Sequence, residues 1–169
     1  MKLDVSQFSS QYLVRDLCEE DIPQILELEK GNPSYFQFCP PSPILESILE
    51  DMHALPDRKD QEDKYYIGFF QGTHLAAIMD LIASYPKEDT FFIGFFMVAA
   101  QYSQQGKGSM SIQVVLQSLS RQGFGRVRLG YMKGNLQSQA FWNKCGFEKT
   151  GVQVETKQGA IIVLEQELL

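Results

Sequence analysis

T-F-F-I-G-F-F-M-V-A-A, residues 90–100, runs directly into Q-Y-S-Q-Q-G-K-G-S-M-S, residues 101–111. The first segment reads as a buried strand, because it is apolar almost throughout and far shorter than the roughly 20 residues that span a bilayer. After the second, Ile112, Val115, Leu116 and Leu119 recur at the spacing of one helix face, and R-Q-G-F-G (121–125) ends the helix. Strand, glycine turn and helix in that order expose the unpaired N–H groups of a helix N-terminus, which suits phosphate oxygens. Gly106 and Gly108 remove side chains that would hold a phosphate away. Lys107 either adds a point charge or is a solvated surface lysine. Two nucleotide-binding patterns fail. A Walker loop needs G-x-x-x-x-G-K-[ST], yet Gln101 stands five before Gly106 and Gly108 follows Lys107. A Rossmann turn needs a third glycine where Ser111 stands and an acid ending the next strand, and R-V-R-L-G-Y-M-K (126–133) contains none. A tight turn without a ligand stays open as the alternative.

Working outward, the sequence predicts strands at Tyr12–Leu17, Tyr65–Phe70, Leu75–Ile82, Phe91–Val98, Val127–Met132, near Phe147–Thr156, and at Ala160–Glu167. Gln71-Gly72-Thr73 is short enough for a hairpin turn. A first helix follows C-E-E-D-I-P, with Ile22, Ile25, Leu26 and Leu28 as its buried stripe. G-N-P-S-Y-F-Q-F-C-P-P (31–41) reads as a loop, unusually rich in aromatics at Tyr35, Phe36 and Phe38. Ser42 is expected to cap a second helix with Pro43 at its first position and Leu45, Ile48, Leu49 and Met52 on its inner face. The fourth helix is Asn135–Cys145, stopped by Gly146. This order implies an α/β chain, one mixed sheet with helices on both faces, in a single domain covering residues 1–169.

A net charge of -6 and a pI near 4.9 leave no cationic excess for a nucleic-acid backbone. Three widely spaced cysteines, Cys18, Cys39 and Cys145, and an N-terminus without an apolar signal core fit a reduced, cytoplasmic setting. No membrane partner is expected. With His53 and His74 its only histidines, the chain has no spacing that suggests a metal site, and both are expected to face solvent.

A second constellation completes the pattern. Q-G-K-G-S-M-S read with G-N-L-Q-S-Q-A-F-W-N-K-C-G-F-E (134–148) resembles the GCN5-related N-acetyltransferase (GNAT) family. Gln105, Gly108 and Met110 fall on that family's [QR]-x-x-G-x-[GA] loop, with Met110 where a small residue is usual. Asn135, Ser138, Phe141, Trp142, Lys144, Gly146 and Phe147 fall on its N-x-x-[AS]-x-x-[LF]-[YFW]-x-K-x-G-F segment. M-D-L-I-A-S-Y-P (79–86) resembles a stretch of one bacterial branch whose acceptors are mostly unassigned.

The resemblance implies a GNAT-like fold, a mostly antiparallel seven-stranded sheet flanked by about four helices, and acetyl-CoA as co-substrate. It implies that Met97, Val98 and Ala100 offer main-chain groups to the pantetheine arm. Gln105, Gly106, Lys107, Gly108, Ser109 and Met110 then cradle the pyrophosphate, while Asn135, Ser138, Phe141 and Trp142 flank the thiol end. The reaction implied is direct transfer of acetyl to an amine of a small molecule or peptide; a non-catalytic acetyl-CoA-binding module is the alternative. Trp142 stands where the family commonly has a proton-donating tyrosine, so solvent or Tyr131 is expected to protonate the thiolate. Asp80, the one acid in L-A-A-I-M-D-L-I (75–82), is the candidate base, against a purely structural role. Tyr35, Phe36 and Tyr85 are expected at the acceptor pocket, and Cys145 as core filler. The sequence leaves the oligomeric state open, a homodimer among the alternatives.

Overall fold

The computed structural model describes residues 2–168. Its seven strands are β1 (Leu13–Asp16), β2 (Lys64–Gln71), β3 (His74–Ile82), β4 (Thr90–Val98), β5 (Arg126–Met132), β6 (Glu148–Thr156) and β7 (Gly159–Glu167). The helices are α1 (Ile22–Lys30), α2 (Tyr35–Phe38), α3 (Leu45–His53), α4 (Lys107–Arg121) and α5 (Leu136–Lys144). All strands join one sheet in the order β1-β2-β3-β4-β5-β7-β6. Only β4 and β5 pair in parallel; every other pair is antiparallel. Parallel neighbours need a crossover connection, and α4 supplies it.

Two apolar cores lie on opposite faces. On one, α4 contributes Ile112, Val115, Leu116 and Leu119 against Phe69, Met79, Phe91, Ile93 and Leu129. On the other, Ile22, Ile25 and Leu28 of α1 and Ile48 and Met52 of α3 cover Tyr66, Phe70, Ile78 and Met97. Strand alternation sends successive residues of β2 to β4 to different faces, which is why these buried strands are apolar throughout.

The structure differs from expectation around α2 and α3. A single helical turn, α2, interrupts the predicted 31–41 loop. Ser42 and Pro43 do not start α3; its first helical residue is Leu45, and the Ser47 hydroxyl accepts from the Ile44 N–H at 3.0 Å. Ser47, at the third helical position, thus closes back on the backbone of Ile44, and no side chain takes the N-cap role expected of Ser42. Leu45 and Leu49, read as inward-facing, are 49% and 38% exposed, so the buried stripe of α3 is narrower than its apolar pattern. Cys145 is buried as core filler, and burial pushes its thiol up to about 11.

Candidate active site

The β4–β5 ladder runs only from Thr90↔Arg126 to Ile93↔Leu129. Beyond it, β4 continues through Val98 without a strand partner on that side among the described residues. The departure coincides with a bulge: Asp80 opposes Phe95 and Leu81 opposes Ile93, leaving Gly94 as the extra residue. A bulge bends its strand and increases twist, which parts β4 from β5.

The hydrogen-bond phase fixes which backbone groups face the gap. Ala99 N–H donates to Ala76 O at 2.8 Å, so in an antiparallel ladder Met97 also turns its N–H and C=O to β3. Phe96 and Val98 point theirs into the gap. The expectation that Met97 offers main-chain groups there is therefore corrected: the register withdraws it and substitutes Phe96. Sequence alone does not carry this phase. Asn32 Nδ2, one residue beyond the C-cap of α1, donates to Val98 O at 3.2 Å and to Leu28 O at 3.0 Å, tying that helix end to β4. Ala100 opens a single 3₁₀ turn just past the strand.

At the end of this edge lies the glycine turn. Gly106, the N-cap of α4, has φ +75°, and a Cβ there would meet nothing within 4 Å. Glycine is therefore chosen for backbone conformation, and space is left in front of it. The first intrahelical bond is Met110 N–H to Gly106 O, at 3.1 Å, which leaves the N–H groups of Lys107, Gly108 and Ser109 free of helical acceptors. These groups and the positive helix end form a seat for an anion such as a pyrophosphate. Around it, Gln105 Nε2 donates to Gln101 O at 2.9 Å, and Ser109 Oγ to Gly106 O at 3.1 Å. The Lys107 ammonium lies 4.4 Å from the centroid of the Tyr102 ring, and the Met110 side chain is 55% exposed, clear of the turn. Gly108 is bare for a different reason from the one expected. A Cβ on it would lie 3.1 Å from Phe141 Cε1 and 3.3 Å from Val98 Cγ2, so its small size lets α4 press against β4 and α5.

On the same face, Asn135 caps α5, its side-chain oxygen accepting from Ser138 N–H at 3.2 Å. Phe141 stacks on Phe96, centroids 5.9 Å apart, and packs edge-on to Trp142 at 4.9 Å. Trp142 and Tyr131 are both buried in the α4-side core. Packing against Phe96, Phe141 and Phe147 accounts for the indole without any role in proton transfer.

The opposite face carries a cavity of about 470 Å³ where two glycines let the side chains of neighbouring strands lie close over the sheet. Asp80, Gly94 and Gly130 all line it, on three adjacent strands, beside the last paired residues of β4 and β5. A Cβ on Gly94 would sit 3.1 Å from Asp80 Oδ2, and one on Gly130 would strike Ile161 Cγ2 at 2.6 Å. Lys64 Nζ approaches Asp80 Oδ2 to 3.2 Å and donates to Ala54 O at 2.6 Å; Asp80 Oδ1 is buried with no partner among the described residues. Burial pushes the Asp80 carboxyl up to about 6, opposed by Lys64 and reinforced by Asp51. Tyr85 lines the cavity, its ring 5.6 Å from that of Phe92.

Tyr35 and Phe36 do not line that cavity. Tyr35 packs edge-on to Phe95 at 5.4 Å and to Phe36 at 5.0 Å, within the α1/α3 core. Arg128, in the cavity wall, and Lys64, behind Asp80, are the residues that sequence reasoning missed. Lys64 carries one signal: it stands two residues before Tyr66, hence on the same strand face.

The Acetyltransferase (GNAT) family profile matches residues 23–147 of the chain. No curated protein matches its sequence. Among solved structures, it is similar to an acetyltransferase from Thermus thermophilus, 18% identical, covering 92% of this chain and 96% of that one with a TM-score of 0.71. It is also similar to the aminoglycoside acetyltransferase AAC(6')-Ib in complex with coenzyme A, at 17% identity, 91% and 93% coverage and a TM-score of 0.71. The PaiA N-acetyltransferase of Thermoplasma acidophilum in complex with coenzyme A aligns at 15% identity, 91% and 97% coverage and a TM-score of 0.64. At such identities the structural likeness speaks for the fold, while the family match spans well over half of the sequence. With the parted β4–β5 ladder leading to an open helix N-terminus, the chain belongs to the GNAT acetyltransferase family, acyltransferases whose co-substrate is acetyl-CoA.

Proposed function

We propose that this protein transfers the acetyl group of acetyl-CoA to the amine of a small acceptor, with Asp80 taking the amine proton. The observation that carries the reading is the position of Asp80: an acid with an unpartnered buried oxygen, its carboxylate lying over Gly94, the first residue of β4 past the point where β4 and β5 separate. The pantetheine arm lies along the open edge of β4, paired with Phe96 and Val98 as an added strand would be. Its pyrophosphate sits on the N–H groups of Lys107, Gly108 and Ser109.

A neutral amine nitrogen attacks the thioester carbonyl carbon, the C–S bond breaks, and CoA leaves as thiolate. The proton lost by nitrogen goes to Asp80, whose position near 6 makes it ionised, yet basic enough to accept, at neutral pH. An N–H on the open side of β4 is placed to polarise the carbonyl oxygen. The thiolate takes its proton from solvent or from Tyr131, and an unchanged rate in Tyr131→Phe would assign it to solvent.

Asp80→Asn tests the base. The change should lower kcat roughly 10²-fold and abolish the acidic limb near pH 6, while calorimetry shows CoA affinity unchanged. The CoA measurement also certifies folding, which matters because Lys64 would lose its buried counter-charge. An Asn variant with the parent's rate and pH profile would refute the assignment.

A further inference from the structure

The cavity beside Asp80 carries information about the acceptor. Its walls are Ile82 of β3, Phe92 of β4, Ile161 and Val163 of β7, and Val152 and Val154 of β6. The last two are 43% and 45% exposed on an edge strand whose nine residues are all exposed. Two branched apolar side chains facing water at the mouth of an apolar cavity form a surface that an apolar ligand would cover favourably. The wall is also pinned: Gln158 Nε2, in the β6–β7 turn, donates to Pro40 O in the loop before α3 at 2.9 Å.

The charges around the cavity cancel in pairs. Asp80 faces Lys64 at 3.2 Å, Arg128 faces Glu165 at 3.0 Å, and Arg126 lies 3.0 Å from both Glu165 and Glu167. Asp80 is therefore the sole carboxylate lining the cavity among the described residues, and it is already half-neutralised. Within the cavity, a polycationic acceptor would place every further ammonium against hydrocarbon or beside Lys64 or Arg128, where an unpaired charge is strongly disfavoured. Desolvation by the same walls lowers the pKa of one bound amine, giving the neutral nucleophile that transfer requires. The size, about 470 Å³, lies toward the lower part of the roughly 300–1,000 Å³ typical of small-ligand pockets.

We infer that the acceptor is a compact apolar monoamine, its nitrogen at Asp80 and its body against Phe92, Ile161, Val163 and the two exposed valines of β6. This rests on acetyl transfer at Asp80 as proposed above. The test is thiol release from acetyl-CoA with 2-phenylethylamine and isopentylamine set against spermidine and kanamycin. The apolar amines should show kcat/KM at least roughly tenfold higher. Val154→Asp, at an exposed position, should raise KM for 2-phenylethylamine about tenfold while leaving the Kd for CoA unchanged. Equal or higher kcat/KM for spermidine or kanamycin would overturn the apolar class and leave acetyl transfer standing. No turnover of any of the four amines by CoA-binding protein would overturn both.

Discussion

Glu29 lies buried on α1 at 3% exposure, and its Oε2 has no partner among the described residues. Burial pushes its carboxyl up to about 7 from 4.5, with the charge of Asp51 adding to the effect. A carboxyl raised on folding costs nothing while both states are protonated, below about pH 4.5. The cost grows as pH rises and is complete above about 7. At about 1.4 kcal/mol for each tenfold change in proton affinity, the rise from 4.5 to about 7 corresponds to about 3 kcal/mol of stability absent at pH 8. Glu29→Gln removes the charge, keeps the size and offers N–H donors toward Tyr66 Oη, another buried oxygen without a partner among the described residues. After allowing about 1 kcal/mol for imperfect pairing of the new amide, the variant should gain about 2 kcal/mol at pH 8. That equals roughly 4–8 °C in Tm for a chain of this size. Asp80 titrates in the same sense, so both proteins should weaken between pH 4 and 7, and the difference between them isolates Glu29. Urea unfolding at pH 4.5 and pH 8 measures it. A gain equally large at pH 4.5, or none at pH 8, would refute the burial argument.

Three further changes probe other parts of the structure. Gly108→Val should cost about 1–3 kcal/mol of fold stability in thermal unfolding, in addition to weakening CoA, because its branches meet Phe141 and Val98; a variant as stable as the parent would contradict the packing. Gly106→Ala should instead cost about 1 kcal/mol through its positive φ, with no clash, and its Tm loss should be smaller than that of Gly108→Val. Asp21 is held down to about 2 chiefly by Arg15, bonded at 2.8 and 2.9 Å, so its contribution is present above pH 4 and lost as pH falls through 2. Asp21→Asn should therefore destabilise by about 1–2 kcal/mol at pH 7, discounted for the partly exposed arginine, and the difference should close in acid unfolding curves near pH 2.

The parts of this molecule that sequence reveals are those whose chemistry is local in the chain. Gln105 to Met110 announce a strand–turn–helix junction because the turn's φ and the helix's orphan donors are set by adjacent residues. Asn135 is legible as a cap for the same reason, since the N–H it accepts from, that of Ser138, is close in the chain. Asp80 stands out because a lone acid in an apolar strand demands a reason. Where local rules mislead, a competing contact wins: α3 starts after Ile44, whose N–H the Ser47 hydroxyl accepts, and not at Ser42, and the aromatic turn at Tyr35 packs onto Phe95.

What sequence withholds is the relation between strands. Gly94 and Gly130 acquire meaning only when the β4–β5 ladder stops just before them, and Lys64 meets Asp80 only through the β2–β3 register. The wall of the cavity beside Asp80 is less local still. The chain threads β7 between β5 and β6, which brings Ile161 and Val163 beside Gly130 and sets Val152 and Val154 at the rim. Acetyl-CoA can be recognised by one turn and one strand edge, so its signature survives as contiguous residues. The cavity beside Asp80 is lined by single side chains from several strands, and no contiguous motif can record it. Its chemistry has to be read from the walls once the sheet is assembled, and here those walls are mostly hydrocarbon, with Arg128 and one guarded carboxylate, Asp80.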